Sequence, residues 1–173
     1  MLLMRAERIL IKPAHKNYAR FRYACGQSRK VFNVSNYEIR QAFFNGEILS
    51  WQAADKMIKF HFAEHYNSLP NAASQTIIKT LGKDWKSFFK ALQSWKKNPS
   101  AFKARPKPPH YAKKLKTYIH SFQSMQCIDN YIHFPKKLGI EPIQIKYNEN
   151  SRTKNGYSGD ARADGRNYGS PVS

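Results

Sequence analysis

The sequence predicts an α+β protein: a helical bundle, then a small β region, then a disordered tail. Three observations lead there. Apolar residues recur at helical spacing through residues 16–97. Short β-rich runs around a two-residue turn follow over 117–147. From Asn148 onward the text contains no Leu, Ile, Phe or Met. The chain has 173 residues, 41% of them hydrophobic and 14% aromatic, enough for one domain or two small lobes with a real core.

The elements follow in order. Residues 5–12 (RAERILIK) alternate enough for a short strand, which Pro13 ends. Residues 16–44 read as the first helix, with Phe21, Ala24, Cys25, Phe32, Ile39, Ala42 and Phe43 on one side, and Asn45-Gly46 stops it. Ser50 is the expected N-cap of a second helix that turns Trp51, Ala54, Ile58 and Phe62 inward. Pro70 and Asn71 open a third helix running to Lys97, striped by Ala73, Ile77, Leu81, Trp85, Phe88, Leu92 and Trp95. Asn98-Pro99 closes it. Residues 103–116 (KARPKPPHYAKKLK) form a Pro-rich basic linker. Strands are expected over 118–122, 125–128, 131–134 and 143–147, with Asp129-Asn130 as a hairpin turn. The tail, 148–173, is too polar and aperiodic to pay the entropy of ordering.

Charge is the strongest functional signal. The chain carries a net +19, and residues 79–116 hold twelve Lys/Arg against one acid, Asp84. Such a stretch attracts a polyanion, with counterion release driving the binding. Trp85, Phe88, Phe89, Trp95, Phe102 and Tyr111 lie among the charges as candidate stacking platforms for bases. The competing reading is a solvated face over an aromatic core, but such faces ordinarily mix signs.

Two stripes are the candidate contact residues. Arg22, Arg29, Asn33, Asn36 and Arg40 fall within about 60° of arc on the first helix, bordering its apolar face. There they are placed to reach phosphates and base edges, or to hold neighbouring elements. Lys79, Lys83, Lys86, Lys90 and Lys97 share one face of the third helix, opposite its apolar stripe. Lys103, Arg105 and Lys107 extend the basic surface into the linker.

Other chemistries find little footing. HFAEH (His61, Glu64, His65) lacks the HExxH order of a zinc peptidase. Cys25 and Cys127 form no CxxC pair, and the eleven acids make no two-metal cluster. No cofactor or metal is expected. No apolar run approaches the ~20 residues that span a bilayer, and the opening residues lack a cleavage site, so a cytoplasmic protein without a membrane partner is expected.

Read in order, these segments resemble TnpB proteins, the OrfB-type transposases of insertion sequences. Ile11-Lys12-Pro13 precedes ACGQSRKVFNVSNYEIRQAF, whose Cys25, Arg29, Phe32 and Asn33 match the family's first helix. LPNAASQTIIKTLGKDWKSFFKAL resembles the next long helix through Pro70, Gln75, Leu81, Trp85, Lys86, Phe88 and Phe89. KARPKPPHYAKK resembles the family's basic loop, and YIHFPKKLGIEPIQIK the strand pair that follows. The resemblance covers residues 5–147.

It implies an RNA-guided DNA endonuclease related to type V CRISPR effectors. It also implies a helical recognition lobe inserted in a wedge-type β-barrel, binding guide RNA and its heteroduplex with DNA by their backbones. Residues 1–13 would be the first wedge strand, 14–100 the recognition lobe, and 101–147 the basic linker and remaining wedge strands. The family labels its early helices a transposase helix-turn-helix, but no tight turn with a recognition helix is legible here. After Tyr147 the family's nuclease domain, with three acidic metal ligands and a four-cysteine zinc ribbon, should begin, and the low-complexity tail stands there instead. The expectation is a truncated, non-catalytic, nucleic-acid-binding fragment. The alternatives are half of a split nuclease completed by a separate C-terminal polypeptide, or a stand-alone cationic RNA-binding protein.

Overall fold

The computed structural model describes residues 8–113 and 126–145. Four helices and a small antiparallel sheet follow one another: α1 (Tyr18–Phe44), α2 (Trp51–His61), α3 (Ala63–Asn67), α4 (Asn71–Lys97), β1 (Gln126–Ile128), β2 (Tyr131–His133) and β3 (Ile143–Gln144). Short 3-10 turns stand at Pro99–Ala101 and Lys136–Leu138.

Local chemistry accounts for the ends of these elements. Gly46 leaves α1 at φ +85, a conformation an L side chain resists. The Ser50 hydroxyl accepts from the Ala53 N–H at 3.2 Å and caps α2 as expected. Phe62, expected to continue α2, instead breaks the helix at φ −127, ψ 43, and α3 starts after it. Lys96 and Lys97 occupy the last turn of α4, where cations suit the helix dipole.

α1 and α4 are the two long helices and pack on each other, with α2 and α3 against them. The core joins Val31 and Ile39 of α1, Ala54 and Ile58 of α2, Tyr66 of α3, and Ile77, Ile78, Leu81, Trp85 and Phe88 of α4. Two features let the helices approach closely. Ser28 and Ser35 are small and buried on α1, and their hydroxyls bond back to the Ala24 and Val31 carbonyls at 2.8 and 2.7 Å. Gly82 of α4 meets α2 so closely that an added Cβ would lie 2.6 Å from Trp51 Cβ. Under the core, the buried Tyr66 hydroxyl donates to Asp55 Oδ1 at 3.0 Å. Desolvation, and then the Asp55 charge and that bond, push the Tyr66 phenol up to about 12.

The sheet has the order β1-β2-β3, with Cys127 opposite Ile132 and Ile132 opposite Ile143. Asp129 and Asn130 both adopt positive φ, 49 and 63, as a two-residue hairpin turn requires. The segment around β3 docks on the start of α1. Leu138 and Ile140 enter the common core, and Phe134 meets Phe21 edge-on at 5.4 Å.

Several expectations change. The strand read over 5–12 does not form in its described part, where 8–12 is irregular. The strand at 118–122, residues 5–7 of the first expected strand and 146–147 of the last, Met125, residues 114–116 of the linker and the tail at 148–173 lie outside the described residues. The described strands form an open three-stranded sheet.

Candidate nucleic-acid interface

α4 presents its charges on one side and the core on the other. Lys79, Lys83, Lys86, Lys90 and Lys97 are all exposed, and the helical rise spreads them over about 27 Å. Among the described residues the only ion pair joins Lys16 to Glu141, so no lysine of α4 is neutralised by a carboxylate. Lys79 alone has a ring neighbour, with its Nζ 5.7 Å from the Trp51 ring centre.

The basic linker folds back across α1 and α4. The Arg105 guanidinium lies 5.5 Å from the Trp95 ring, near the end of α4. Further on, α1 grips the segment by side-chain amides. Asn36 Nδ2 donates to the Pro109 carbonyl at 3.0 Å, and its Oδ1 accepts from Trp85 Nε1 at 3.0 Å. Asn33 takes both backbone groups of Ala112: its Oδ1 accepts the N–H at 2.8 Å and its Nδ2 donates to the carbonyl at 3.1 Å. Asn17, just before α1, does the same to Glu141, at 3.0 and 2.9 Å. Arg40 lies 5.1 Å from the Tyr111 ring, and its buried Nε has no partner among the described residues.

The two candidate stripes therefore differ. The α4 stripe faces outward entire, and Lys103, Arg105 and Lys107 are exposed beside it. The α1 stripe is divided. Arg22 is exposed and Arg29 half-buried, whereas Asn36 is 0% exposed and joins Trp85 to the linker. Asn36 therefore has no amide group turned to a ligand, Asn33 has both of its amide groups engaged, and Arg40 is stacked on the linker. The aromatic residues divide too. Trp85 and Phe88 are core, 2% and 7% exposed, and pack with Phe43 and Phe89 at 5.4–5.7 Å, so these two are not stacking platforms. Trp95 and Phe102 stay half-buried and Tyr111 exposed.

Where the linker crosses the helices it walls a cleft of about 560 Å³. α4 contributes Asp84, Ser87, Phe88 and Ala91, at the i, i+3, i+4, i+7 spacing of one helix face. α1 adds Phe32, and the linker adds Pro106, Lys107, Pro109 and His110. Desolvation raises the Asp84 carboxyl above its ordinary value. Sequence reasoning found neither the amide grips nor this cleft. The one available signal was a set of asparagines beside an apolar helix face, where a polar amide must find partners.

Phe62 separates His61 at the end of α2 from His65 in α3, so the pair does not share one helix face. Burial pushes the Cys25 thiol up, away from the reactive thiolate. Among the described residues no three His, Cys, Asp or Glu side chains gather as metal ligands, and no helix is long and apolar enough to cross a membrane. No protein-family model matches the chain, and neither does any curated protein or solved structure.

Proposed function

We propose that the chain is a nucleic-acid-binding module, and that the lysine face of α4 takes the phosphate backbone. One observation carries this reading: five exposed lysines line one face of one helix, and among the described residues no carboxylate neutralises them. Neighbours at i+3 and i+4 repel by a few tenths of a kcal/mol per pair, a cost that a bound polyanion reverses. Placed as point charges on flexible stems, lysines position a backbone without reading sequence.

Within that reading, the module is the recognition and wedge portion of a TnpB-like RNA-guided endonuclease. Support comes from the order of the quoted motifs, and from helices preceding an antiparallel sheet along the chain. The three-stranded sheet would be one part of the wedge barrel, and guide RNA, alone or paired with DNA, the polyanion. The module has no nuclease chemistry of its own, so purified protein with Mg²⁺ leaves DNA intact; guide-dependent cutting that survives stringent purification refutes this.

Salt titration tests the binding. If ~5 phosphates are neutralised, log K falls with log salt at a slope of about −3.5 on single strands and −4.5 on duplex DNA. Changing Lys79, Lys83, Lys86 and Lys90 to Gln flattens the single-strand slope by about 3. An unchanged slope in a folded variant removes α4 from the interface.

A further inference from the structure

Asp84 is anomalous. It is the single acid in a stretch of twelve cations, yet among the described residues its carboxylate has neither an ion pair nor a hydrogen bond. Exposed at its tip, it lines the cleft under the linker beside half-buried Phe32 and the core residue Phe88, which partly desolvate it. A carboxylate so placed repels phosphate. It accepts hydrogen bonds from N–H groups, and the half-buried Phe32 offers a ring beside it.

The cleft also borders the lysine stripe. Ser87 lies four residues after Lys83 and three before Lys90, so it is next to both on the helix surface. Its hydroxyl proton is already engaged, donated to the Lys83 carbonyl at 3.0 Å, which leaves its oxygen as an acceptor facing the cleft. Lys107 and His110 stand on the opposite wall as donors. A strand whose phosphates follow the α4 lysines thus passes the mouth of a polar-lipped, apolar-walled cleft of ligand-pocket size.

We propose that this cleft is a nucleobase pocket that prefers guanine and takes one unstacked base from a single strand bound along α4. The inference rests on the nucleic-acid reading above and adds base selectivity to it. Guanine alone presents two adjacent N–H donors, N1–H and the 2-amino group, that match the two oxygens of a carboxylate. Cytosine and adenine offer one amine beside a ring-nitrogen acceptor that the carboxylate repels. Uracil offers one N–H between two carbonyls and binds worst. Unpaired bases are read in this way on their Watson–Crick edges, between stacking side chains. Lys107 and His110 then hold the sugar–phosphate of the same nucleotide.

Fluorescence anisotropy on the full chain tests this with a labelled oligouridine of about twelve nucleotides and the same oligomer carrying one central guanine. The guanine oligomer should bind about tenfold tighter, the worth of one good bidentate contact. Inosine, which lacks the 2-amino group, should fall between the two. Asp84→Ala and Asp84→Asn should each abolish the difference and leave oligouridine affinity within about twofold, since both keep the α4 lysines. Circular dichroism establishes that each variant is folded. Equal affinity of the wild-type chain for the guanine and uridine oligomers overturns the pocket while the binding reading stands. So does a guanine preference that survives both Asp84 substitutions. Failure to bind any oligomer, or binding without salt dependence, overturns the binding reading and the pocket with it.

Discussion

The outer face of α4 and the polar border of α1 look alike as sequence, yet they serve opposite ends. On α4 the five lysines are exposed and, among the described residues, meet no carboxylate. On α1 the asparagines turn back into the molecule and hold later parts of the chain by their backbone groups. The difference follows from the side chains. A lysine has a long stem and a charge whose desolvation is costly, so it stays in water unless an anion comes to it. An asparagine is short and neutral, and carries a donor and an acceptor side by side, the complement of one peptide group. Charge beside a helix core therefore stays at the surface, where the proposed polyanion would meet it, and an amide in the same place finds its partner within the molecule.

The largest expected effect separates the two at once. The quadruple lysine-to-glutamine variant of α4 should lose single-strand affinity by a factor on the order of several hundred near 0.1 M salt, through lost counterion release. Its stability should stay within about 0.5 kcal/mol of the parent, as for other exposed sites. Asn36→Ala should behave in the opposite sense. It orphans the buried Trp85 N–H and removes the Pro109 contact, and should cost about 3 kcal/mol in urea denaturation while the salt slope of the folded fraction holds. A slope that flattens with Asn36→Ala would break the comparison.

Two smaller changes sharpen it by leaving the charges of both stripes in place. Tyr66→Phe leaves buried Asp55 without its donor and should cost about 2 kcal/mol with nucleic-acid affinity intact. The same pair predicts a pH response. A phenol raised to about 12 keeps its proton in the folded state after the unfolded chain, titrating near 10, has lost it. Its contribution is complete below about pH 10 and fades as pH rises toward 12. The stability gap between parent and Tyr66→Phe should narrow over that window. Last, Gly82→Ala gains about 1 kcal/mol of helix propensity but forces Trp51 to move, and overpacking costs about 1–3. A net loss of about 1 kcal/mol, seen as a lower denaturation midpoint with an unchanged salt slope, is expected.

What was legible in the sequence was local. Ser50, Asn45-Gly46 and Asp129-Asn130 mark ends and turns through their own backbone preferences, and each sits where it was read. The helices were legible because one face must be apolar at 3.6-residue spacing. The break at Phe62 was not, since an apolar residue in register says nothing of its own φ and ψ. Trp85 and Phe88 read equally well as platforms or as core, and only packing against Phe43 decides. That the lysines share one outward face was readable because helical spacing and charge place them there; what meets that face is not written in the spacing. The amide grips were not, because they join residues 73, 79 and 124 positions apart.

Those separations also set an order of assembly. As the chain leaves the ribosome, α1 to α4 can complete their mutual contacts, including the Asn36–Trp85 bond, before residues 109–112 and 141 emerge. Asn17 and Asn33 must then wait, hydrated, for backbone that emerges later. The loop entropy of closing them is met last; the Ala112 grip, with few buried apolar contacts beside it, opens first, and the Glu141 grip, backed by buried Leu138 and Ile140, opens after it. Under native conditions, the Ala112 and Glu141 amide protons should therefore exchange with solvent well before those of Ile78 and Leu81. The two grips would act as latches that release the linker and then the sheet from an intact helical bundle.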